Sequence, residues 1–274
     1  MALFTIDPDK CKGDGICAAE CPLRIITIDG EGVYPTLAEG SGSLCNNCGH
    51  CVAVCPQGAL SLNSMKPEEC KPVERDLFPG FNQLKELICS RRSIRTYADK
   101  AVDRETLSCL IDVARYAPTA RNQQLVNWTV IEGKAGVKHL AGLVLEWMRL
   151  KVEEEPAKDT YLRYQKIIAS WEKGDDRILR GAPHIVVAHA LKTATLTMTD
   201  CIIALTCFDL AAFSKGLGTC WAGYLMEAAN TYPPVFDALA LPGDHQCYGA
   251  IMIGYPKYHY NRIPLRNSPA VFWR

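Results

Sequence analysis

The sequence predicts an α+β protein built from two parts, and three observations lead to that prediction. The first is a cysteine-rich stretch near the start of the chain in which one spacing occurs twice. The second is a pattern beyond residue 81 in which helical segments alternate with short apolar strands. The third is the prolines and charges of residues 64–80, which predict an extended linker. The predicted parts are therefore residues 1–63, the linker 64–80, and a larger domain over 81–274.

The repeated cysteine spacing is typical of residues that ligate iron–sulfur clusters. Thiolates separated by two residues each can close a tight loop around one cluster, while a fourth lies on the following turn. The second copy is Cys45, Cys48, Cys51 and Cys55, followed by proline. Thirty-four residues earlier, the first copy is Cys11, Asp14, Cys17 and Cys21, again followed by proline. Residues 25–28 also match residues 59–62, so the duplication extends beyond the candidate ligands.

Other uses of cysteine fit this pattern less well. Zinc also accepts Cys-x2-Cys pairs, and small secreted proteins use many cysteines in disulfides. Zinc sites rarely contain three such cysteines followed by Cys-Pro, and here the frame occurs twice, so iron–sulfur clusters are favoured over zinc. The chain has 14 cysteines, and those outside the motifs show no disulfide framework. Free thiols in a reducing cytoplasm are therefore expected.

The duplicated motif resembles bacterial ferredoxins with two [4Fe-4S] clusters, in which the fourth cysteine of each copy serves the other cluster. The resemblance implies one cluster held by Cys45, Cys48, Cys51 and Cys21. It implies a second cluster held by Cys11, Cys17 and Cys55, with Asp14 or nothing at its fourth iron. Three possibilities stay open for Asp14: it ligates a four-iron cluster, its corner empties to give a [3Fe-4S] cluster, or it is a solvated turn residue. If a cluster forms at this copy, the two clusters are expected to differ electrochemically.

The larger domain is predicted to be a layered α+β structure around one sheet. Apolar periodicity predicts helices over residues 82–89, 137–154, 161–171 and 199–215. A further helix is expected to begin after Asp103 as its N-cap and to end before Pro118. Short apolar runs predict strands at 128–131, 185–188 and 248–253. Helices interleaved with strands at this scale predict helices packed on a single sheet.

Four motifs follow one another in this domain. Residues 91–97 place three guanidiniums and a hydroxyl close together, a set suited to phosphate oxygens, although alone it would also fit a solvated basic turn. The other three are residues 117–124, residues 216–223, and Gly254-Tyr255-Pro256 followed by two arginines.

In this order the motifs resemble the nitroreductase family of FMN-dependent oxidoreductases, over about residues 81–274. The resemblance implies that the ribityl phosphate and near edge of FMN are held by Arg91, Arg92, Ser93 and Arg95, with C-terminal phosphate contacts from Arg262 and Arg266. It implies a loop reaching the flavin of a partner subunit, with Pro118, Thr119, Ala120, Asn122 and Gln124. It also implies that the isoalloxazine ring lies along Trp221, Ala222 and Gly223, where a backbone N–H can address N5. This chain has two extra residues between the loop and Trp128, so its substrate-facing rim is expected to differ.

Together the two resemblances predict an iron–sulfur flavoprotein oxidoreductase. Electrons would pass from the N-terminal clusters to FMN and on to a small electrophilic acceptor, nitroaromatic or quinone-like, with external ferredoxin or NAD(P)H as candidate donors. No catalytic side chain is expected, because the flavin carries the chemistry. Two alternatives stay open: the same fold performing another flavin reaction, such as reductive dehalogenation or flavin fragmentation, and a non-catalytic electron-transfer or flavin-storage module.

Composition and motifs argue against several other classes. A net charge of zero gives no reason to expect nucleic acid or an acidic membrane surface as a partner. Asp209 interrupts the apolar run 201–213, so a membrane-spanning helix is not expected. No signal peptide is apparent, so a cytoplasmic location is expected. Residues 216–218 are too short for a dinucleotide-binding fingerprint. His184 and His189, which flank a predicted strand, are expected to be structural.

Two further expectations concern packing and assembly. Trp147, Tyr164 and Trp171 are expected to pack in the core or at an interface, with stacking on an aromatic acceptor as the alternative. The nitroreductase resemblance implies a homodimer, because the loop 118–122 has no obvious task within its own chain. An exposed apolar C-terminus at residues 270–273 would also be unfavourable without a partner.

Overall fold

The computed structural model of the chain describes residues 3–30, 33–155 and 159–274. The chain folds into two compact units, one reaching up to Phe78 and including Arg121–Gln123, the other holding Pro79–Ala120 and Gln124–Arg274. Residues 64–78, which the sequence assigns to a linker, belong to the first unit and contain two short 3-10 helices, Pro67–Glu69 and Arg75–Leu77.

The first unit is built from two similar halves. Its elements are β1 (Phe4–Ile6), α1 (Ile16–Ala19), β2 (Ile26–Thr27), β3 (Thr36–Leu37), α2 (His50–Val54) and β4 (Leu60–Leu62). Strand β1 pairs antiparallel with β4, and β2 pairs antiparallel with β3. Each helix follows a glycine with a left-handed backbone, Gly15 (φ 73°) before α1 and Gly49 (φ 74°) before α2. The small core under both sheets includes Cys17 from α1 and Cys51 from α2.

The second unit has a four-stranded antiparallel sheet covered by helices on both faces. Its elements in chain order are α3 (Phe81–Ser90), α4 (Arg104–Ala114), β5 (Asn127–Glu132), α5 (Lys134–Glu154), α6 (Asp159–Trp171), β6 (His184–Leu191), α7 (Thr197–Ser214), β7 (Gly218–Trp221), α8 (Gly223–Thr231), α9 (Pro233–Ala238) and β8 (His245–Gly254). The strand order is β5-β6-β8-β7. Each predicted helix and strand is present, and the predicted α+β fold class is confirmed. The sequence analysis did not predict β7 as a strand, nor α8 and α9 as helices.

The sequence of strand β6 does not alternate between apolar and polar residues, because the strand is covered on both faces. Ile185 and Val187 pack into the core beside α5 and α8, whereas Val186, on the opposite face, packs against α4 and α7. Successive strand residues point to opposite faces, so a strand covered on both faces must be apolar throughout. The prediction of a fully buried strand is confirmed.

Helix α4 begins where its capping residue predicts. The Asp103 carboxylate accepts hydrogen bonds from the backbone N–H of Thr106 (2.7 Å) and from the Thr106 hydroxyl (2.9 Å). An aspartate in this position satisfies an amide that the helix itself cannot pair. The helix ends at Ala114, before Pro118, as predicted.

Helix α7 contains the apolar run 201–213 that Asp209 interrupts. Among the described residues, α7 is the one helix that is both long enough and apolar enough to cross a membrane, with a mean hydropathy of 1.4. In this fold its apolar residues pack against β6, β8 and α4. It also contains two buried carboxylates, Asp200 and Asp209. Its composition is that of a central core helix.

The expected packing residues lie in the core. Trp147 and Tyr164 are each 2% exposed, their ring centroids are 5.5 Å apart, and Trp171 packs against the same cluster. Buried rings of this kind have no free face for an acceptor, so the packing interpretation holds for Trp147 and Tyr164.

The two histidines that flank the predicted strand 185–188 lie within β6 and have structural partners, as predicted. His184 Nε2 accepts from the Val102 N–H (3.0 Å), and His189 Nδ1 lies 2.9 Å from His245 Nδ1. Burial, and then the neighbouring His245, lowers the pKa of His189 to about 4. At ordinary pH His189 is therefore neutral, and its ring links β6 to His245 at the start of β8.

Candidate cluster and flavin sites

The first candidate site is a cavity that collects cysteines from both motifs. It is lined by Cys45, Cys48 and Cys51 of the second motif and by Cys21 of the first. The empty space amounts to about 380 Å³, part of it open to solvent. This grouping has the crossed form that the ferredoxin resemblance implies.

The second candidate site has the reciprocal composition. It is lined by Cys11, Asp14 and Cys17 of the first motif and by Cys55 of the second, around about 360 Å³ of empty space. Each cavity therefore receives three side chains from one motif and a single cysteine from the other.

The thiols of each set influence one another electrostatically. Burial raises the pKa of Cys51 to about 11, with Cys48 and Cys21 adding to the effect. Burial also raises the pKa of Cys17, with Cys55 and then Asp14 as its neighbours. The thiols of Cys17 and Cys51 therefore hold their protons more firmly than an exposed cysteine does, and cluster binding must displace those two protons.

Backbone amides already point at two of the sulfurs. The Asn47 N–H donates to Cys45 Sγ (3.4 Å), and the Ala59 N–H donates to Cys55 Sγ (3.3 Å). Hydrogen bonds to cluster sulfurs are one of the means by which a protein sets cluster potential. One such bond lies beside each cavity.

Asp14 lies at the cavity and also forms a local turn. Its Oδ1 accepts from the backbone N–H of Ile16 (3.2 Å), just before α1 begins. The equivalent residue of the second motif is Cys48, whose thiol lines the other cavity. A carboxylate is a harder ligand than a thiolate and holds iron less firmly, so the two sites differ chemically at this one position.

The donor sets fit iron–sulfur clusters. Within the described ranges, no three His, Cys, Asp or Glu side chains lie close enough together to hold a single metal ion. Each set of four instead surrounds a cavity. Four ligands around an open space are what a cluster of several irons and sulfurs requires.

The second unit brings three of the four flavin motifs together beside β7. The Ile94 N–H donates to the Thr219 carbonyl (2.8 Å), and Tyr97 forms a β-bridge with Pro256. Ile94 lies so close to Gly218 that a Cβ at that position would collide with it. The glycine is required because the arginine segment must approach the strand backbone.

The neighbouring arginines of this segment have different partners. Arg91 Nη1 lies 3.3 Å from Oδ2 of Asp209. Arg92 Nη1 donates to the Arg91 carbonyl (2.8 Å), but its Nε and Nη2 are buried and have no hydrogen-bond partner among the described residues. Buried guanidinium donors without acceptors fit an anionic group such as a phosphate. Ser93 is partly buried beside them, and Arg95 is exposed.

The loop at residues 118–124 is held within its own chain, which corrects the expectation that it has no task there. The Ala120 N–H donates to Oδ1 of buried Asp200 (3.0 Å), and the Gln124 N–H donates to the Thr119 hydroxyl (3.0 Å). Asn122, which is counted with the first unit, donates to the carbonyls of Asn46 (3.2 Å) and Asn47 (2.9 Å). Pro118 is exposed at the start of the loop.

The loop backbone is strained. Arg121, Asn122 and Gln124 all have left-handed φ angles of 51–54°. Each such non-glycine residue costs about 1–2 kcal/mol, so the conformation persists only because its surroundings fix it. Conformations of this kind are concentrated at binding sites.

The third motif spans the end of β7 and the start of α8. Trp221 is 36% exposed, and the buried Ala222 donates its N–H to the Ala250 carbonyl (2.8 Å). Gly223 is the first residue of α8, where amides have no acceptor within the helix. This position fits a backbone contact to a flavin nitrogen.

The two remaining predicted residues, Arg262 and Arg266, are exposed in the C-terminal segment after β8. Their contact with a phosphate stays a prediction.

Sequence reasoning missed two residues of this region. Asp200 and Asp209 are 4% and 6% exposed. Asp200 bonds to the 118–124 loop, and Asp209 contacts both the arginine segment and Thr219 of the third motif. The available signal was an aspartate within a strongly apolar helix, since a carboxylate is rarely buried unless it is paired.

Comparisons with known sequences agree with both parts. Residues 88–255 match the model of the nitroreductase family, and residues 4–27 and 42–61 match that of the 4Fe-4S binding domain. An uncharacterised ferredoxin of Methanocaldococcus jannaschii is 35% identical over 60 residues, which make up 21% of this chain and 90% of that protein.

Solved structures with the same fold cover the second part. A Bacteroides fragilis nitroreductase with bound FMN is 21% identical, covers 70% of this chain and 100% of its own, and has a TM-score of 0.57. A Desulfitobacterium hafniense nitroreductase with bound FMN is 19% identical, covers 69% of this chain and 97% of its own, and has a TM-score of 0.56. A BluB-like flavoprotein of Clostridium difficile is 18% identical, covers 70% of this chain and 99% of its own, and has a TM-score of 0.57. The predicted resemblance is confirmed: the chain belongs to the nitroreductase family and carries a ferredoxin-type 4Fe-4S binding domain before the family domain.

Proposed function

We propose that this chain is an FMN-dependent iron–sulfur oxidoreductase in which electrons enter at two N-terminal clusters, pass to FMN, and reduce a small electrophilic acceptor, nitroaromatic or quinone-like. The observation that carries the proposal is the placement of eight candidate ligands around two cavities, in a chain whose other part belongs to the nitroreductase family. When bound, the clusters supply single electrons and the flavin stores two. The role of the protein is to hold these groups and to tune them.

The cluster ligands follow from the two cavities. Cys21, Cys45, Cys48 and Cys51 hold one cluster, and Cys11, Asp14, Cys17 and Cys55 hold the other. Asp14 Oδ1 accepts a hydrogen bond from the Ile16 amide, so Oδ2 would be the oxygen available as a ligand. This weaker ligand allows the site to lose one iron and become [3Fe-4S].

The flavin ligands follow from the groups around β7. Arg92, whose buried Nε and Nη2 have no hydrogen-bond partner in the described part of the chain, would hold the FMN phosphate together with Arg91, Ser93 and Arg95. Arg262 and Arg266 complete the phosphate contacts. Trp221, Ala222 and Gly223 would hold the flavin ring, with a backbone amide available to N5. The 118–124 loop would contact the flavin of a partner subunit. The two FMN-bound nitroreductases with this fold support the choice of cofactor.

A homodimer in the cytoplasm is part of the same proposal. The C-terminal segment leaves Leu265, Phe272 and Trp273 almost fully exposed, at 99%, 85% and 92%. Exposed apolar residues of this size favour burial against another surface, here a second copy of the chain. All 14 cysteines are free thiols, which suits a reducing compartment.

The test compares electron donors in anaerobically prepared, full-length protein. Reduced ferredoxin or dithionite should bleach the flavin absorbance, and the reduced protein should then turn over a nitroaromatic or a quinone repeatedly. The Cys17→Ala/Cys51→Ala double variant removes one buried ligand from each cluster and should slow flavin reduction by ferredoxin at least tenfold. Cys70→Ala is the matched control, because Cys70 belongs to the same unit and lines neither cavity.

Two outcomes would contradict the proposal. If NADH reduces the flavin of the double variant as fast as that of the parent protein, and ferredoxin does not act on either, electrons do not enter through the clusters. If the reduced protein carries out no repeated turnover with any nitroaromatic or quinone, a non-catalytic electron-transfer module is the better description.

A further inference from the structure

Asp209 is a buried carboxylate that joins two of the flavin motifs. It lies on α7 and is 6% exposed. One of its oxygens accepts a hydrogen bond from the Thr219 hydroxyl on β7, and the other lies 3.3 Å from Arg91 Nη1. A single side chain of α7 therefore contacts both the arginine segment and the strand beside it.

These contacts restrict Arg91 at two levels. The Thr219 residue that bonds to Asp209 also accepts the Ile94 N–H through its carbonyl (2.8 Å), so the backbone of the segment is fixed beside the same carboxylate. The ion pair then restricts the guanidinium itself, a group that otherwise has many rotamers. Nη1 is the contact atom, and an arginine has four further N–H donors available for other acceptors.

Asp209 also compensates the charge of the segment. Arg91 and Arg92 are adjacent, and Arg92 donates to the Arg91 carbonyl while its Nε and Nη2 are buried without a hydrogen-bond partner among the described residues. Two neighbouring guanidiniums repel each other, and a paired carboxylate offsets one of these charges. The segment then keeps a net positive charge for an anion, and Arg91 keeps its remaining N–H donors for the same anion.

We infer that Asp209 is a positioning residue that orients Arg91 toward the phosphate of FMN, and that it thereby sets the preference of this site for FMN over riboflavin. The inference rests on the proposed flavin site and adds to it a residue on α7, outside the four motifs.

The first experiment measures affinity and does not depend on turnover. Full-length, cluster-loaded protein is stripped of flavin and titrated with FMN and with riboflavin, following flavin fluorescence. Asp209→Asn keeps the shape of the side chain and removes its charge. FMN should bind about 10- to 100-fold more weakly, the loss found when a residue that orients a metal ligand is replaced, taken here as the analogous case. Riboflavin affinity should change little, because riboflavin has no phosphate.

A matched control and a coupling test separate this role from a general structural one. Asp112→Asn removes a carboxylate that pairs with Arg115 (2.7 Å) on the exposed surface, and it should leave both affinities unchanged. In an Arg91→Gln background, Asp209→Asn should have no further effect on FMN binding, since Asp209 acts through Arg91. If Asp209→Asn does not fold, Thr219→Val removes the other partner of the carboxylate and should give a smaller loss, again confined to FMN.

Three results would overturn the inference: unchanged or tighter FMN binding by a folded Asp209→Asn, equal losses for FMN and riboflavin, or additive effects of the Arg91 and Asp209 substitutions. The parent protein distinguishes the two levels of failure. If it does not prefer FMN to riboflavin, the proposed phosphate site fails together with this inference. If it does, and one of the three results is found, only the role of Asp209 fails.

Discussion

The two halves of the first unit have nearly the same backbone but differ in one ligand. Helix α1 and helix α2 begin at positions thirty-four residues apart, and so do the strand segments that follow them. Left-handed residues recur at the same offset, as the pairs Gly13 and Asn47, Gly15 and Gly49, and Arg24 and Gly58. The two cavities have similar volumes, about 360 and 380 Å³. The fold therefore offers two equivalent pockets, one with Asp14 and the other with Cys48.

This comparison shows which differences come from the fold and which from a side chain. Because turns, helices and cavities are repeated, an electrochemical difference between the two clusters should come mainly from Asp14. Four sets of substitutions test how far the two halves are equivalent, from the largest expected effect to the smallest.

The crossed ligands should give the largest effect. Cys21→Ala, although it lies in the first motif, should abolish the cluster of the second motif, because Cys21 lines that cavity. Cys55→Ala should abolish the other cluster for the reciprocal reason. Iron and sulfide analysis with EPR of the reduced protein should show one cluster lost in each variant and a different one remaining. If each variant loses the cluster of its own motif, the crossed arrangement is wrong.

Exchanging the unequal ligands should change cluster type without removing a cluster. Asp14→Cys should make the first site resemble the second, so mild oxidation should no longer release iron from it. Cys48→Asp should give the second site the weaker ligand, with loss of about one iron per chain on the same treatment. EPR after graded oxidation, which detects [3Fe-4S] centres, measures both changes. Equal iron loss in the parent protein and in Asp14→Cys would show that Asp14 is only a turn residue.

The repeat in the first unit could be predicted from the sequence alone, because it depends on the spacing of residues that are close together in the chain. Cysteine intervals, the glycines before each helix and the matching apolar pairs are all short-range features. The same holds in the second unit for Asp103 as a cap and for the apolar run of β6. The predicted family and fold class followed from such features, and both are confirmed.

What the sequence did not predict depends on contacts between distant residues. Asp209 meets Arg91 across more than one hundred residues, and Asp200 holds the Ala120 amide eighty residues away. A one-dimensional pattern shows each aspartate only as an interruption in an apolar helix. Strand β7 was missed because its four residues owe their extended form to pairing with β8 and give no periodic signal of their own.

Replacing the glycines before the two helices should reveal a smaller asymmetry. Gly15 and Gly49 have almost equal φ angles, so alanine should cost about 1–2 kcal/mol of backbone strain at either position. At Gly49 a new Cβ would also lie 2.8 Å from Met65 Sδ, whereas at Gly15 the nearest atom is Ile28 Cδ1 at 3.7 Å. Gly49→Ala should therefore lower the free energy of unfolding more than Gly15→Ala, as measured by urea unfolding of cluster-loaded protein under argon.

A control for strain alone is available in the same unit. Gly40 has φ 71° and no atom within 4 Å of the position that a new Cβ would take, so Gly40→Ala should match Gly15→Ala. In Gly49→Ala the excess loss should shrink when Met65 is also replaced by alanine. Equal losses at Gly15 and Gly49 would show that Met65 moves aside freely.

The smallest effect should come from the pair Arg24 and Gly58, where one half of the repeat has a side chain in a left-handed turn. Both residues donate their N–H to the carbonyl of the cysteine three positions earlier, Cys21 (3.0 Å) and Cys55 (3.2 Å). Arg24→Gly relieves about 1–2 kcal/mol of strain and adds about 0.5–1 kcal/mol of chain entropy to the unfolded state. A net stabilisation of about 0.5–1 kcal/mol is therefore expected by the same unfolding measurement.

Gly58→Ala should destabilise, since a Cβ there would lie 3.3 Å from Pro67 Cβ. Arg24→Ala, which keeps the strain and removes the charge, should change little; if it stabilises as much as Arg24→Gly, the charge of Arg24 and not its backbone is responsible.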